Sequence, residues 1–363
     1  MIKVGITHGD INGIGYEVIL KTFSEPYMVE TCTPVIYGSA KIAGFHRKAL
    51  NLEPINLFQI NNAKDAVDNK INIVNVVGEE VKVELGHSTP SAGDAAYKAL
   101  EQAVADLKAG IIDVLVTAPI NKDNIQREDF HFPGHTEYLE ERFAKEGEKS
   151  LMILVKDELR VALVTGHIPL KDVSEKITKE RIIEVAKRFN ESLKRDFRVG
   201  RPRIAVLSLN PHAGENGLLG SEEKEIIDPA IKSLIEERIL CFGPYAADGF
   251  FGSGEFSKFD GILAMYHDQG LAPFKTLAME DGVNFTAGLS VVRTSPAHGT
   301  AYGIAGKNEA SEESFRHSIF MAVDTFSNRA FYDESHANPL RKLYVERGGD
   351  NEVLDLTKEE SEH

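Results

Sequence analysis

The chain is poor in cysteine, has no surplus of positive charge and contains no long apolar run. Its 363 residues include only 2 cysteines, Cys32 and Cys241. Two thiols cannot build a metal cage alone, and they read as packed side chains in a reducing compartment. Lys and Arg number 41 against 56 Asp and Glu, for a net charge of −15. That balance argues against a nucleic-acid or anionic-membrane surface but allows a locally basic pocket for a small anion. No apolar stretch approaches the ~18 residues of a membrane span. The opening "MIKVGITHGD" lacks the basic flank, apolar core and small-residue cleavage site of a leader peptide. A soluble, cytoplasmic protein with no nucleic-acid or membrane partner is expected. G-x-S-x-G, Walker A and H-E-x-x-H are also missing, which removes the common hydrolase and NTPase readings. "GDINGIG" (9–15) does not fit G-x-G-x-x-G and reads as a tight strand-to-helix turn.

What the chain does have is alternation. Strand candidates lie at 2–7, 34–38, 71–76, 113–118, 151–156, 160–165, 203–209, 261–266 and 288–293. Helix-period segments separate them, at 91–110 with Ser91 as N-cap, 178–195, 221–238 and 311–331. Strands alternating with helices indicate an α/β protein with a mainly parallel sheet and flanking helices. No repeat or low-complexity linker marks a boundary. The stretches near 119–135 and around 268–286 are the expected crossings between two lobes.

In open α/β sheets ligands sit at the carboxyl ends of strands. Here those ends carry His167 in "RVALVTGH", His212 in "RIAVLSLNPH" and His267 in "GILAMYH", with Asn121 and Lys122 after "DVLVTAPI". Three imidazoles on one rim would suit zinc or another divalent first-row metal and leave positions open for substrate. Separate histidines bonded to loop carbonyls or water are the alternative. His135 and Thr136 follow a Pro-Gly turn at the start of a helical run. They suit either an anion at a helix N-terminus or plain capping by Thr136 with His135 exposed. Lys275, Asn284 and Arg293 supply a point charge, an amide and a planar fork for a phosphate or carboxylate, or are ordinary surface polar groups.

These segments carry a resemblance. "GITHGDINGIG", "PGHTEYL" (133–139), "TGHIPL" (165–170), "NPHAGENG" (210–217) and "DGILAMYHDQGLAPFK" (260–275) resemble the signature segments of the 4-hydroxythreonine-4-phosphate dehydrogenase family of vitamin B6 biosynthesis. The likeness implies a two-lobed isocitrate/isopropylmalate dehydrogenase-like fold and a homodimer whose active site is shared across the interface. The lobes would be 1–125 plus 280–345 and 126–279, with an acidic tail at 346–363. It implies that His167, His212 and His267 ligate a divalent cation (zinc, magnesium or cobalt), one of them crossing the dimer interface, with His267 the expected one. His135, Thr136, Lys275, Asn284 and Arg293 match substrate-binding positions. Asp248 matches an acidic position reaching the substrate amine from the other subunit. His298, Gly299 and Thr300, in "SPAHGTAYGIAGK", match a loop for NAD or NADP. Two departures are the "GDINGIGYE" turn, which stands for "GDPAGIGPE", and Gly303, which stands where an acidic residue is common.

The implied reaction is NAD-dependent oxidation of 4-phosphooxy-L-threonine to 2-amino-3-oxo-4-phosphooxybutanoate. That product decarboxylates to 3-amino-2-oxopropyl phosphate. Either Lys275 or a water on the metal would take the hydroxyl proton. Sister dehydrogenases of 4-phospho-erythronate or 4-phospho-threonate are the nearer alternative. A metal-dependent hydrolase or phosphate-group transferase is the more distant one.

Overall fold

The computed structural model describes residues 1–338, and within them twelve strands join in one sheet. They are β1 (Lys3–Thr7), β2 (Thr33–Gly38), β3 (Leu57–Ile60), β4 (Ile71–Asn75), β5 (Val114–Thr117) and β6 (Leu151–Lys156). The rest are β7 (Leu159–Leu163), β8 (Arg203–Leu207), β9 (Leu240–Tyr245), β10 (Gly261–Ala264), β11 (Val283–Ala287) and β12 (Arg293–Pro296). Their spatial order is β3-β4-β2-β1-β5-β12-β11-β6-β7-β10-β8-β9. Pairing is parallel except where β11 meets β12 and β6, and where β6 turns back onto β7. The tail expected at 346–363 and the end of the first lobe at 345 lie outside the described residues.

Both faces of the sheet are covered, as near-continuous apolar strands require. Along β5, Val114 and Val116 pack into one core cluster and Leu115 into another, the two-residue alternation of a strand. The first cluster takes the helices Gly15–Phe23, Lys179–Arg195 and Glu313–Ala337 through Val18, Phe189 and Phe315. The second takes the helix Pro90–Lys108, whose Ala96, Ala99, Leu100 and Ala103 recur at helical spacing. Mixed α/β with a mostly parallel sheet is therefore the observed class. No helix among the described residues is long and apolar enough to cross a membrane. Cys32 and Cys241 are both free and buried, and burial pushes each thiol up to about 12.

Several elements differ from expectation. The segment 288–292 is a bend opened by Gly288 at φ +80, so Arg293 begins a strand instead of ending one. β11 just before it had no strong pattern of its own. β3 is half exposed, and β9 contains Gly243 and Pro244, which an edge strand tolerates. Thr89, not Ser91, caps the helix Pro90–Lys108, accepting a hydrogen bond from the Ala92 amide. The 221–238 segment divides into a π-helical turn, Glu223–Ile227, and the helix Asp228–Glu236, with Pro229 in its first turn. Much of the expected crossing at 268–286 is the helix His267–Ala278, which leaves β10 after only two residues.

Candidate active site

β7 and β10 are parallel neighbours, with Leu163 opposite Ala264. The pairing persists past the strands, because Val164 and Thr165 amides donate to the Ala264 and Met265 carbonyls at 2.9 and 3.1 Å. Three residues then separate β7 from His167, and two separate β10 from His267. The His167 and His267 rings stand with centroids 5.4 Å apart and planes at 45°. Asp268 Oδ1 lies 2.7 Å from His267 Nδ1 and so orients that ring, leaving Nε2 for a ligand. Gln269 is structural: its Oε1 accepts from the Met265 amide and its Nε2 donates to the Ser208 carbonyl, tying the exits of β10 and β8. Desolvation lowers the His167 pKa, and the charges of Lys122 and His267 lower it further. Both effects favour the neutral ring, the form that ligates a cation.

The third histidine does not join them. His212 is exposed, outside the cleft, in a turn where residues 212–216 all have left-handed φ. That turn is anchored at its base by Glu223, whose Oε1 accepts from the Leu209 and Asn210 amides at 2.9 and 2.8 Å. The expectation of three imidazoles converging on one rim is corrected to two within a chain. His267 is the neighbour of His167 in the same chain, and His212 is the one that stands apart. Among the described residues no three His, Cys, Asp or Glu side chains group closely enough to hold a metal ion. Asp248, on the helix Ala247–Gly252, is likewise exposed and does not line the cleft.

The remaining expected substrate residues do come together. A cleft of about 740 Å³ is lined by His135, Thr136, His167, His267, Lys275, Asn284, Arg293, His298 and Gly299. Arg293 is 3 % exposed, and its partners are hydroxyls: Thr117 Oγ1 at 2.6 and 3.1 Å and Thr286 Oγ1 at 3.2 Å. No carboxylate lies within ion-pairing distance of it among the described residues, and burial lowers its pKa to about 9. His135 is buried at the first position of the helix His135–Phe143, not exposed as plain capping would leave it. Desolvation and the nearby Arg293 and Lys122 charges hold its pKa well below the usual imidazole value. The buried atoms His135 Nε2, Asn284 Oδ1 and His298 Nε2 have no hydrogen-bond partner. Unpaired buried polar atoms are costly, so their collection around one cleft marks a ligand position.

Thr300 does not line the cleft; its carbonyl accepts from the Ile14 amide at 3.1 Å. The loop it belongs to is clamped by Tyr302, whose hydroxyl donates to Asp10 Oδ2 at 2.7 Å. Asp10 is itself buried and also accepts from Asn124 Nδ2 and the Asn12 amide. Gly9, at φ +69, permits this: a β-carbon there would fall 2.2 Å from the Pro119 carbonyl oxygen. Lys122, Glu137, Lys149, Arg181 and Arg188 also line the cleft and were not among the expected site residues. Lys122 was visible as a charge at a strand exit. Glu137 was concealed as an ordinary acidic residue in a helix's first turn.

The fold and cleft define an α/β protein with a buried cationic group in a cleft beside an imidazole pair. Residues 30–322 match the family described as "Pyridoxal phosphate biosynthetic protein PdxA". The chain is 61% identical over 355 residues to a 4-hydroxythreonine-4-phosphate dehydrogenase of Bacteroides thetaiotaomicron, covering 98% of this chain and 97% of that one. It is 41% identical to a protein of the same name from Sulfurihydrogenibium sp., covering 89% of this chain and 98% of the other. A crystal structure of 4-hydroxythreonine-4-phosphate dehydrogenase from Klebsiella pneumoniae superposes with a TM-score of 0.77 at 33% identity, covering 90% of this chain and 98% of that one. The chain belongs to the PdxA family.

Proposed function

We propose that the chain is a nicotinamide-dependent dehydrogenase of vitamin B6 biosynthesis. It oxidises the 3-hydroxyl of 4-phosphooxy-L-threonine to 2-amino-3-oxo-4-phosphooxybutanoate, which loses carbon dioxide to give 3-amino-2-oxopropyl phosphate. The relatives' printed activity supports this substrate. The observation that carries the reading is Arg293, a buried guanidinium with only hydroxyl partners. An interior cation of that kind is stabilised by a bound anion, and a planar fork suits a phosphate. His135 and Thr136 at the helix N-terminus and Asn284 complete the phosphate end of the site.

His167 and His267 fit two positions of a divalent-cation site, since both face the cleft and Asp268 fixes the His267 tautomer. His212 and Asp248 would enter from a second copy of the chain, which makes the unit a homodimer. A zinc, magnesium or cobalt ion held there would supply Lewis acidity toward the substrate hydroxyl and the product ketone, and NAD or NADP would supply the hydride acceptor. The protein's own part is to bind and orient. Arg293 and the helix end hold the phosphate, which places the alcohol carbon beside the imidazole pair. Lys275, exposed on the rim, is the proposed acceptor of the hydroxyl proton. His298 and Gly299 line the side on which the nicotinamide would lie. The strand order supports dividing the chain into lobes of 1–125 plus residues from 280 on, and 126–279, since β1–β5, β11 and β12 are contiguous in the sheet, as are β6–β10.

The test is to mix protein, divalent cation, NAD or NADP and 4-phosphooxy-L-threonine and follow reduced nicotinamide. Its appearance, dependent on substrate, is expected. Release of inorganic phosphate with no reduced nicotinamide would overturn the reading in favour of a hydrolase.

A further inference from the structure

Lys122 and Glu137 form a charge pair that the fold holds apart. Lys122 leaves β5 in a turn set by Asn121, whose Oδ1 accepts from the Asp123 and Asn124 amides. Glu137 lies in the first turn of the helix His135–Phe143. The two flank Gly134: Lys122 Cε and Glu137 Oε2 stand 3.7 and 3.5 Å from the point a Gly134 β-carbon would occupy. Both line the cleft, yet they make no ion pair with each other, and neither side-chain charge has another partner among the described residues. Arg181 and Arg188, by contrast, are both engaged by Glu184, and Glu140 by Ser150. The charge of Lys122 reaches His135 and His167, and that of Glu137 reaches Arg293 and His167. Both charges are thus felt at the anion pocket and at the imidazole pair.

Resting on the function proposed above, we infer that this split pair reads the amino-acid end of the substrate, Lys122 binding its carboxylate and Glu137 its ammonium. Opposite charges that stay apart inside a cleft are complementary to a zwitterion, which satisfies both at once. The phosphate pocket is largely cationic and serves any phosphorylated acid. Glu137 adds a carboxylate from within the chain to the Asp248 brought by the second copy, and so favours the 2-amino group of 4-phosphooxy-L-threonine over the 2-hydroxyl of phosphorylated sugar acids.

The test is calorimetric binding to the full-length protein of three ligands: 4-phosphooxy-L-threonine, 4-phospho-erythronate and a phosphorylated amino alcohol that lacks the carboxylate. A charge-assisted contact corresponds to about ten- to hundredfold in affinity. Lys122→Met should weaken the two acids by that factor and leave the amino alcohol unchanged. Glu137→Gln should weaken 4-phosphooxy-L-threonine and the amino alcohol but not 4-phospho-erythronate. Equal effects of either variant on all three ligands would mean a merely structural role and overturn the inference. Wild-type binding of phosphorylated acids with no amino preference would overturn it while leaving the proposed dehydrogenase intact. No binding of any phosphorylated ligand by the wild type would sink both.

Discussion

Nη2 of Arg293 donates to Thr117 Oγ1 at 2.6 Å, and that hydroxyl, not a carboxylate, holds the guanidinium in the interior. A neutral partner leaves most of the desolvation cost of a buried cation uncompensated. The site is therefore less stable empty than filled. Arg293→Met should raise the unfolding midpoint of the ligand-free protein, and should weaken binding of phosphorylated ligand by about a hundredfold, the range of a lost charged hydrogen bond. Thermal unfolding with and without ligand checks both. A lowered midpoint with unchanged affinity would contradict the assignment.

The imidazole pair gives a second expectation. Among the described residues, Asp268 is the group hydrogen-bonded to the His267 ring. Removing such a partner typically lowers metal affinity about ten- to hundredfold. Asp268→Asn should show this in a direct titration with zinc or cobalt, while the secondary structure is retained. His212→Ala should also lose metal, although His212 is exposed and outside the cleft of its own chain. Mixing His212→Ala with His267→Ala protein should restore part of the metal binding if mixed dimers form one complete site. No restoration in proven heterodimers would remove His212 from the ligand set.

The Asp10–Tyr302 hydrogen bond joins the first loop to the loop that contains His298 and Gly299. Tyr302→Phe removes a donor from a buried carboxylate, which costs about 1–3 kcal/mol. It should raise the KM for the nicotinamide more than that for the phosphorylated substrate. Steady-state kinetics with each ligand varied in turn distinguishes the two.

Acid stability should depend on two buried histidines that do not line the cleft. His8 stacks on Tyr16, and Tyr16 on His46, each at 5.1 Å between centroids. Burial lowers both imidazoles from 6.5 to about 4. Because the folded values are depressed, the unfolded chain binds more protons between pH 4 and 6.5. Their contribution is complete above about pH 6.5 and disappears as the pH falls toward 4, by roughly 3 kcal/mol for each group. Nε2 of His46 donates to the Ile11 carbonyl at 2.8 Å, a role a glutamine amide can take over. His46→Gln should therefore lose less stability between neutral and acid pH than the wild type, by on the order of 2 kcal/mol. Urea unfolding at two pH values measures it, and parallel pH curves for the two proteins would refute it.

Much of the site was legible because strand exits are marked by composition. "DVLVTAPINK", "RVALVTGH" and "GILAMYH" each end an apolar run in polar chemistry, and the register of β7 and β10 brings two of their histidines together. "RIAVLSLNPH" has the same appearance, but four residues separate His212 from the end of β8, enough for the backbone to turn left-handed and leave the rim. Arg293 was picked out with the wrong local setting. The bend at Gly288 interrupts an apolar run that otherwise reads as one strand. Glu137 was missed because an acidic first-turn residue complements a helix dipole whether or not it also faces a ligand.

The residues alone determined the α/β class, through alternating periods of two and of about 3.6, and they determined which side chains could carry chemistry. The partners of those side chains were decided only by the tertiary structure. Register, loop length and burial act between segments more than a hundred residues apart, as with Thr117 and Arg293. A local pattern records what a segment can bury, whereas the charge left unpaired in a cleft depends on what the rest of the chain places beside it.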